Sequence, residues 1–81
     1  MNDWQHEQNK KQLKEFSDVG YRWEIDGYGY QVWYGDEYIT GAGTARNRKM
    51  HWKHAQENIK DYTNSVLIIC QRHSKALQGG E

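Results

Sequence analysis

The chain has no proline, a single cysteine, no net charge and no long apolar run. Each of these absences excludes something. Without proline, no helix or strand is interrupted by a residue that lacks an N–H and fixes its own φ. One cysteine, Cys70, cannot form an internal disulfide, and it reads as a reduced thiol in a cytoplasmic protein. The longest apolar run, Val66 to Cys70, falls far short of the roughly 18 residues that suggest a membrane span. No charged stretch followed by an apolar one opens the chain in the manner of a secretory leader. Eleven basic and eleven acidic residues cancel. A polyanionic partner therefore has to be argued from local clustering and not from overall charge.

Aromatic residues are abundant. Four Trp, six Tyr and one Phe make up 14% of 81 residues. Each large ring can bury on the order of 150–250 Å², which offsets the low aliphatic content. The expectation is one small α+β domain (1–81): an N-terminal helix (1–19), a three-stranded antiparallel meander (20–43) and a long C-terminal helix (44–78) packed on the sheet.

The first helix rests on good helix formers from Trp4 to Phe16, capped by Asn2 or Asp3, with Leu13 and Phe16 as its docking pair. After a turn at Ser17 to Gly20 the period changes to two. Tyr21, Trp23 and Ile25 alternate with Arg22 and Glu24, and Asp26-Gly27 reads as a two-residue hairpin loop. Gly35-Asp36 marks a second loop, and a third strand follows from Glu37 to Thr40. These loops set Ile25 opposite Tyr28, Trp23 opposite Tyr30, Tyr21 opposite Val32, Val32 opposite Ile39 and Trp33 opposite Tyr38. The core face is then Tyr21, Trp23, Ile25, Tyr28, Tyr30, Val32 and Ile39. The outer face carries Arg22, Glu24, Gln31, Trp33, Tyr38 and Thr40. Gly41-Ala42-Gly43 is expected to end the third strand.

The long helix follows from spacing. Trp52, Ala55, Ile59, Tyr62, Val66, Ile69, His73 and Ala76 step by three and four, the stripe of one amphipathic helix capped by Thr44. Tyr62-Thr63-Asn64-Ser65 are four poor helix formers in a row, so a break at 63–65 is the alternative. A six-residue strand spans only about 20 Å. On this reading the first half of the helix, with Trp52, Ala55 and Ile59, covers the sheet. The second half, with Val66, Ile69, Cys70 and His73, overhangs it. Either the first helix or a second copy of the chain must then cover that second half. A homodimer through Val66, Ile69, Cys70 and His73 is the expectation.

The cations cluster. No acidic residue lies between Glu37 and Glu57, where Arg46, Arg48, Lys49 and Lys53 stand with His51 and His54. At the start of a helix such a patch suits phosphate contacts. The alternative is a solvated helix face. The order helix, three strands, helix, with Gly41-Ala42-Gly43-Thr44 leading into these cations, resembles the layout of double-stranded RNA-binding domains. That resemblance implies that Arg46, Arg48 and Lys49 lie across a duplex backbone. Here, however, the first hairpin loop is cut to Asp26-Gly27 and there is no tight lysine cluster.

A second candidate surface is Arg22, Trp33 and Tyr38 on the outer sheet face, where exposed rings stack bases or anchor a protein partner. The alternatives there are cover by the first helix or an ordinary cross-strand pair. His51-x2-His54 and Cys70-x2-His73 each have the spacing of a zinc-ligand pair, but one continuous helix keeps them about 24 Å apart. Cys70 lies in an apolar stretch and no Walker, dinucleotide or hydrolase motif appears. No enzymatic activity, metal or cofactor is expected, and with the rings in the core there is little room for a small-molecule substrate pocket. Two functions stay open. One is a nucleic-acid-binding module acting through Arg46, Arg48, Lys49 and Lys53. The other is an adaptor or inhibitor of a host protein, of the type phages and mobile elements encode, acting through Arg22, Trp33 and Tyr38 or the distal helix.

Overall fold

A computed structural model describes residues 1–47 and 49–79. The order is α1 (Asp3–Asp18), β1 (Tyr21–Asp26), β2 (Gly29–Tyr34), β3 (Glu37–Gly43) and α2 (Trp52–Gly79). The strands form one antiparallel sheet in the order β1-β2-β3. Both helices lie on the same face. Leu13 from α1 and Val66, Leu67 and Cys70 from α2 share one buried cluster with Tyr21 and Val32 of the sheet. The opposite face, with Arg22, Glu24, Gln31 and Tyr38, is exposed. The α+β layout is the expected one.

The first hairpin differs from the expected register. Asp26 pairs with Gly29, and Ile25, Trp23 and Tyr21 pair with Tyr30, Val32 and Tyr34. The two-residue turn is therefore Gly27-Tyr28. Asp26 is the last strand residue, and its carboxylate accepts hydrogen bonds from the N–H groups of Tyr28 (2.8 Å) and Gly29 (3.0 Å). A carboxylate capping the turn from its first corner favours this register. Moving the loop by one position moves each partner by two, so the faces are preserved. Tyr34 takes the core position expected of Tyr28, and packs on Tyr21 with ring centroids 4.5 Å apart. Gly27 serves contact. A Cβ there would lie 2.6 Å from that of Ala55, so the turn sits directly on α2.

The second loop is the expected Gly35-Asp36, with Gly35 at φ +58° and Trp33 opposite Tyr38. Past that pair a bulge intervenes. Val32 pairs with Thr40, leaving Ile39 as the extra residue, half-buried against the core. The third strand does not end at Thr40. Gly41, Ala42 and Gly43 continue it opposite Gln31, Tyr30 and Gly29.

The long helix starts eight residues later than expected. Thr44 does not cap it, because its N–H donates to the Tyr28 carbonyl at 2.7 Å and extends the sheet contact. His51 is the cap: its Nδ1 accepts from the Lys53 N–H at 3.2 Å and its carbonyl from the Ala55 N–H at 3.0 Å. From Trp52 the helix is unbroken. The hydroxyls of Thr63 and Ser65 donate to the carbonyls four residues back, Ile59 and Asp61. The amide of Asn64 accepts from the fully buried Asn9 of α1 at 3.2 Å. These residues are poor helix formers because their side chains compete for the backbone. Here those side chains are already occupied in helical geometry.

The later start changes which half of α2 covers the sheet. Ala55 meets the turn of the first hairpin, and His73 meets Tyr21 and Tyr34 at its far end. The segment between, about 27 Å at 1.5 Å per residue, runs the length of the strands and only a little beyond them. Trp52 precedes it and is 66% exposed, so it does not cover the core face. Val66 and Cys70, expected at a dimer interface, are 0% exposed within a single chain. His73 is engaged too, with its Nδ1 2.7 Å from the Tyr21 hydroxyl. The overhang that called for a second copy is filled by α1 and the sheet. Ile69 is half-buried against the same cluster.

Candidate nucleic-acid interface

The outer sheet face carries an ordered aromatic group. Trp33 and Tyr38, paired across β2 and β3, meet edge to face with centroids 5.9 Å apart. The Arg22 guanidinium sits 4.3 Å above the Trp33 ring, a cation–π contact. Its Nε donates to the Gly35 carbonyl at 3.5 Å, which tethers it to the second turn. Neither helix covers the group: Tyr38 is 52% exposed. Beside it the sheet surface is paved with glycine. A Cβ at Gly41 would fall 2.6 Å from the Tyr38 hydroxyl, and one at Gly29 or Gly43 would strike the neighbouring backbone. A shallow polar depression of about 330 Å³ results, bounded by Gln31, Tyr38, Thr44, Tyr28 and Arg46.

The β3–α2 loop holds the cations. Arg46 bonds Asp26 through its guanidinium and lies 5.9 Å above the Tyr28 ring. That hydrogen bond holds the Asp26 carboxyl below the usual carboxylate range, helped by the N–H groups of Tyr28 and Gly29. Arg46 is thus anchored by an acid rather than poised as a lone phosphate contact. Arg48 lies outside the described residues. Lys49 and Lys53 are exposed; Lys49 precedes α2 instead of standing on it as expected, whereas Lys53 is in the first turn of the helix. Between loop and helix is an open cleft of about 580 Å³, lined by Tyr28, Asn47, Lys49, Met50, His51 and His54 among others. A cleft this size was not expected from the sequence. It is within the range of small-ligand sites.

The two surfaces meet. Tyr28 and Thr44 line both the sheet depression and the loop cleft, so the cationic and aromatic sets named separately from sequence border one continuous strip. Trp52 stands at its end, exposed beside His51, with the two rings near parallel at 23° and centroids 6.4 Å apart. Sequence reasoning missed Tyr28 and Trp52 as surface residues. Trp52 fits the heptad phase and Tyr28 the strand period, which places both in the core. The one available signal was that His51 and Trp52 lie inside the acid-free stretch.

The other candidates resolve differently. Burial pushes the Cys70 thiol up to about 11, so at neutral pH it is a protonated core group, and His73 is bonded to Tyr21 instead. Continuous α2 keeps His54 and the Cys70/His73 pair far apart along its length. Among the described residues no cluster of three or more His, Cys, Asp or Glu could hold a metal ion. No helix among them is long and apolar enough to cross a membrane. No protein-family model, curated protein or solved structure matches the chain.

Proposed function

We propose that the protein is a non-enzymatic nucleic-acid-binding module that takes a single strand along the strip from Trp33 and Tyr38 to Lys53. The observation that carries this reading is the continuity of the strip. An open sheet face with ordered rings runs, through walls shared at Tyr28 and Thr44, into an acid-free segment bearing Lys49 and His51 on the loop and His54 at the start of α2. Cations track a phosphate backbone, and exposed rings stack bases of any sequence. A single strand suits this arrangement better than a duplex. Stacking needs unpaired bases, and the cations are split between the loop and the first turn of α2 rather than set along a helix that could cross two backbones.

Fluorescence anisotropy with a labelled single strand, and with the matching duplex, tests the reading. The expected result is tighter binding of the single strand. Its affinity should fall as salt rises, with a slope of about −0.7 for each phosphate neutralised. No binding at about 50 mM salt, where phosphate contacts are strongest, removes the proposal.

A second reading uses part of the same strip. Arg22 and Tyr38 are exposed, both pack against the half-buried Trp33, and no helix covers the group, a composition typical of protein-interaction anchors. A host-protein partner would be held with little dependence on salt, and Trp33→Ala would abolish that binding.

A further inference from the structure

We propose that the groove beside α1 is a binding site for an amphipathic monocarboxylate, an apolar chain ended by a single carboxylate. The groove lies between α1, the edge strand β1 and α2, and holds about 490 Å³. It shares no lining residue with the loop cleft, so the inference stands apart from the nucleic-acid reading.

The chemistry of the groove divides by side. Leu13, Trp23, Ile25 and Ile59 give it an apolar floor. The Thr63 hydroxyl, also in the lining, is already committed to the Ile59 carbonyl at 2.7 Å and makes no polar demand on a ligand. The α1 side is cationic. His6, Lys10 and Lys14 are spaced four apart and so form one row along the helix. No carboxylate lines the groove among the described residues. The partner of Lys10 is Glu7 at 3.0 Å, an exposed pair on the helix surface, easily exchanged because such pairs hold weakly.

A carboxylate has two oxygens, enough for the Lys10 and Lys14 ammonium groups, and the apolar floor receives the chain. A neutral lipid would gain nothing from the two lysines. A small hydrophilic anion would leave the floor wet.

Titration of the full ¹⁵N-labelled chain with decanoate tests the site by amide and indole chemical shifts. The expected result is saturable shifts centred on residues 10–14 and on the Trp23 indole N–H. Decanol should bind about tenfold more weakly, and Lys10→Gln/Lys14→Gln should lose a similar factor for decanoate, the scale of two partly screened ion pairs. Both lysines are exposed, so this variant should keep its fold, which an unchanged spectrum without ligand verifies. Non-saturating shifts at millimolar decanoate, decanol binding as tight as decanoate, or shifts centred on the 44–51 loop would each overturn the proposal. Binding to phosphatidylglycerol vesicles that needs both lysines, without saturation by decanoate, would also overturn it in favour of a lipid surface.

Discussion

The two ends of α2 belong to one apolar stripe, yet they are buried very differently. From Thr63 to His73 the stripe is closed over by α1 and the sheet, with Val66 and Cys70 fully inaccessible. At the other end Trp52 continues the same spacing and is 66% exposed. The intervening Ala55 and Asn58 hold the helix to the hairpin turn, the first by contact with Gly27 and the second by donating to its carbonyl at 2.9 Å. Hydrophobic phase decides which side of a helix is apolar. What lies beneath each turn decides whether that side is buried. Past Gly27 there is no more sheet, so the largest ring of the stripe is left at the surface, beside Lys49 and Lys53.

The widest gap between the two ends should appear in stability. Leu67→Ala removes a side chain that is 4% exposed and should cost about 2–5 kcal/mol. Trp52→Ala should change stability by no more than about 0.5 kcal/mol. Urea denaturation of the two variants measures both. Comparable losses would mean that Trp52 is packed after all and would remove the contrast.

The next effect concerns how α1 closes the C-terminal half. Asn9, 1% exposed, donates to Asn64 at 3.2 Å and accepts from Gln5 at 3.0 Å. Asn9→Ala leaves a polar group on α2 unpaired and should cost about 1–3 kcal/mol. If the pair itself is the link, adding Asn64→Ala should cost little more. Fully additive losses in a double-mutant cycle would show that each amide acts alone.

Much of this fold was legible from residue patterns. The alternation at Tyr21, Trp23 and Ile25, the Gly35-Asp36 turn and the stripe through Val66 each placed an element correctly. The misses share one cause. At Asp26 a side chain caps the turn, and at Thr44 the backbone N–H goes to Tyr28. These are specific hydrogen bonds, one of them long-range, and a period does not encode them. The candidate site suffered in the same way. Lys49 and Lys53 were visible as charges, but Tyr28 and Trp52 looked like core. The join between loop and sheet depends on a register that differs by one turn position from the expected one.

At the exposed end the contrast predicts function without stability. Lys49→Gln/Lys53→Gln should leave the denaturation midpoint within error, since both side chains are exposed and neither holds an ion pair among the described residues. If the strip binds a single strand, the same variant should flatten the salt slope by about 1.4, two phosphates at roughly 0.7 each. A variant that loses stability instead would assign these lysines to the fold.

The smallest expected effect lies where the loop joins the sheet. Asp26 is held below the usual carboxylate range mainly by the Arg46 hydrogen bond, with the Tyr28 and Gly29 N–H groups adding to it. A carboxylate whose value is depressed on folding contributes stability that is present above its unfolded value, near 3.9, and is lost as pH falls through the lower folded value. Arg46→Ala should therefore shrink the acid-side loss of stability while lowering stability at neutral pH. The Asp26 side chain is 46% exposed and that of Arg46 61%. Solvent screening should then keep the change below about 1 kcal/mol. Denaturation of wild type and variant at pH 3 and pH 7 gives the difference directly. An effect near zero at both values would leave the two backbone N–H groups as the holders of Asp26. Arg46 would then be available to a phosphate, and the cationic end of the strip would gain a third side chain.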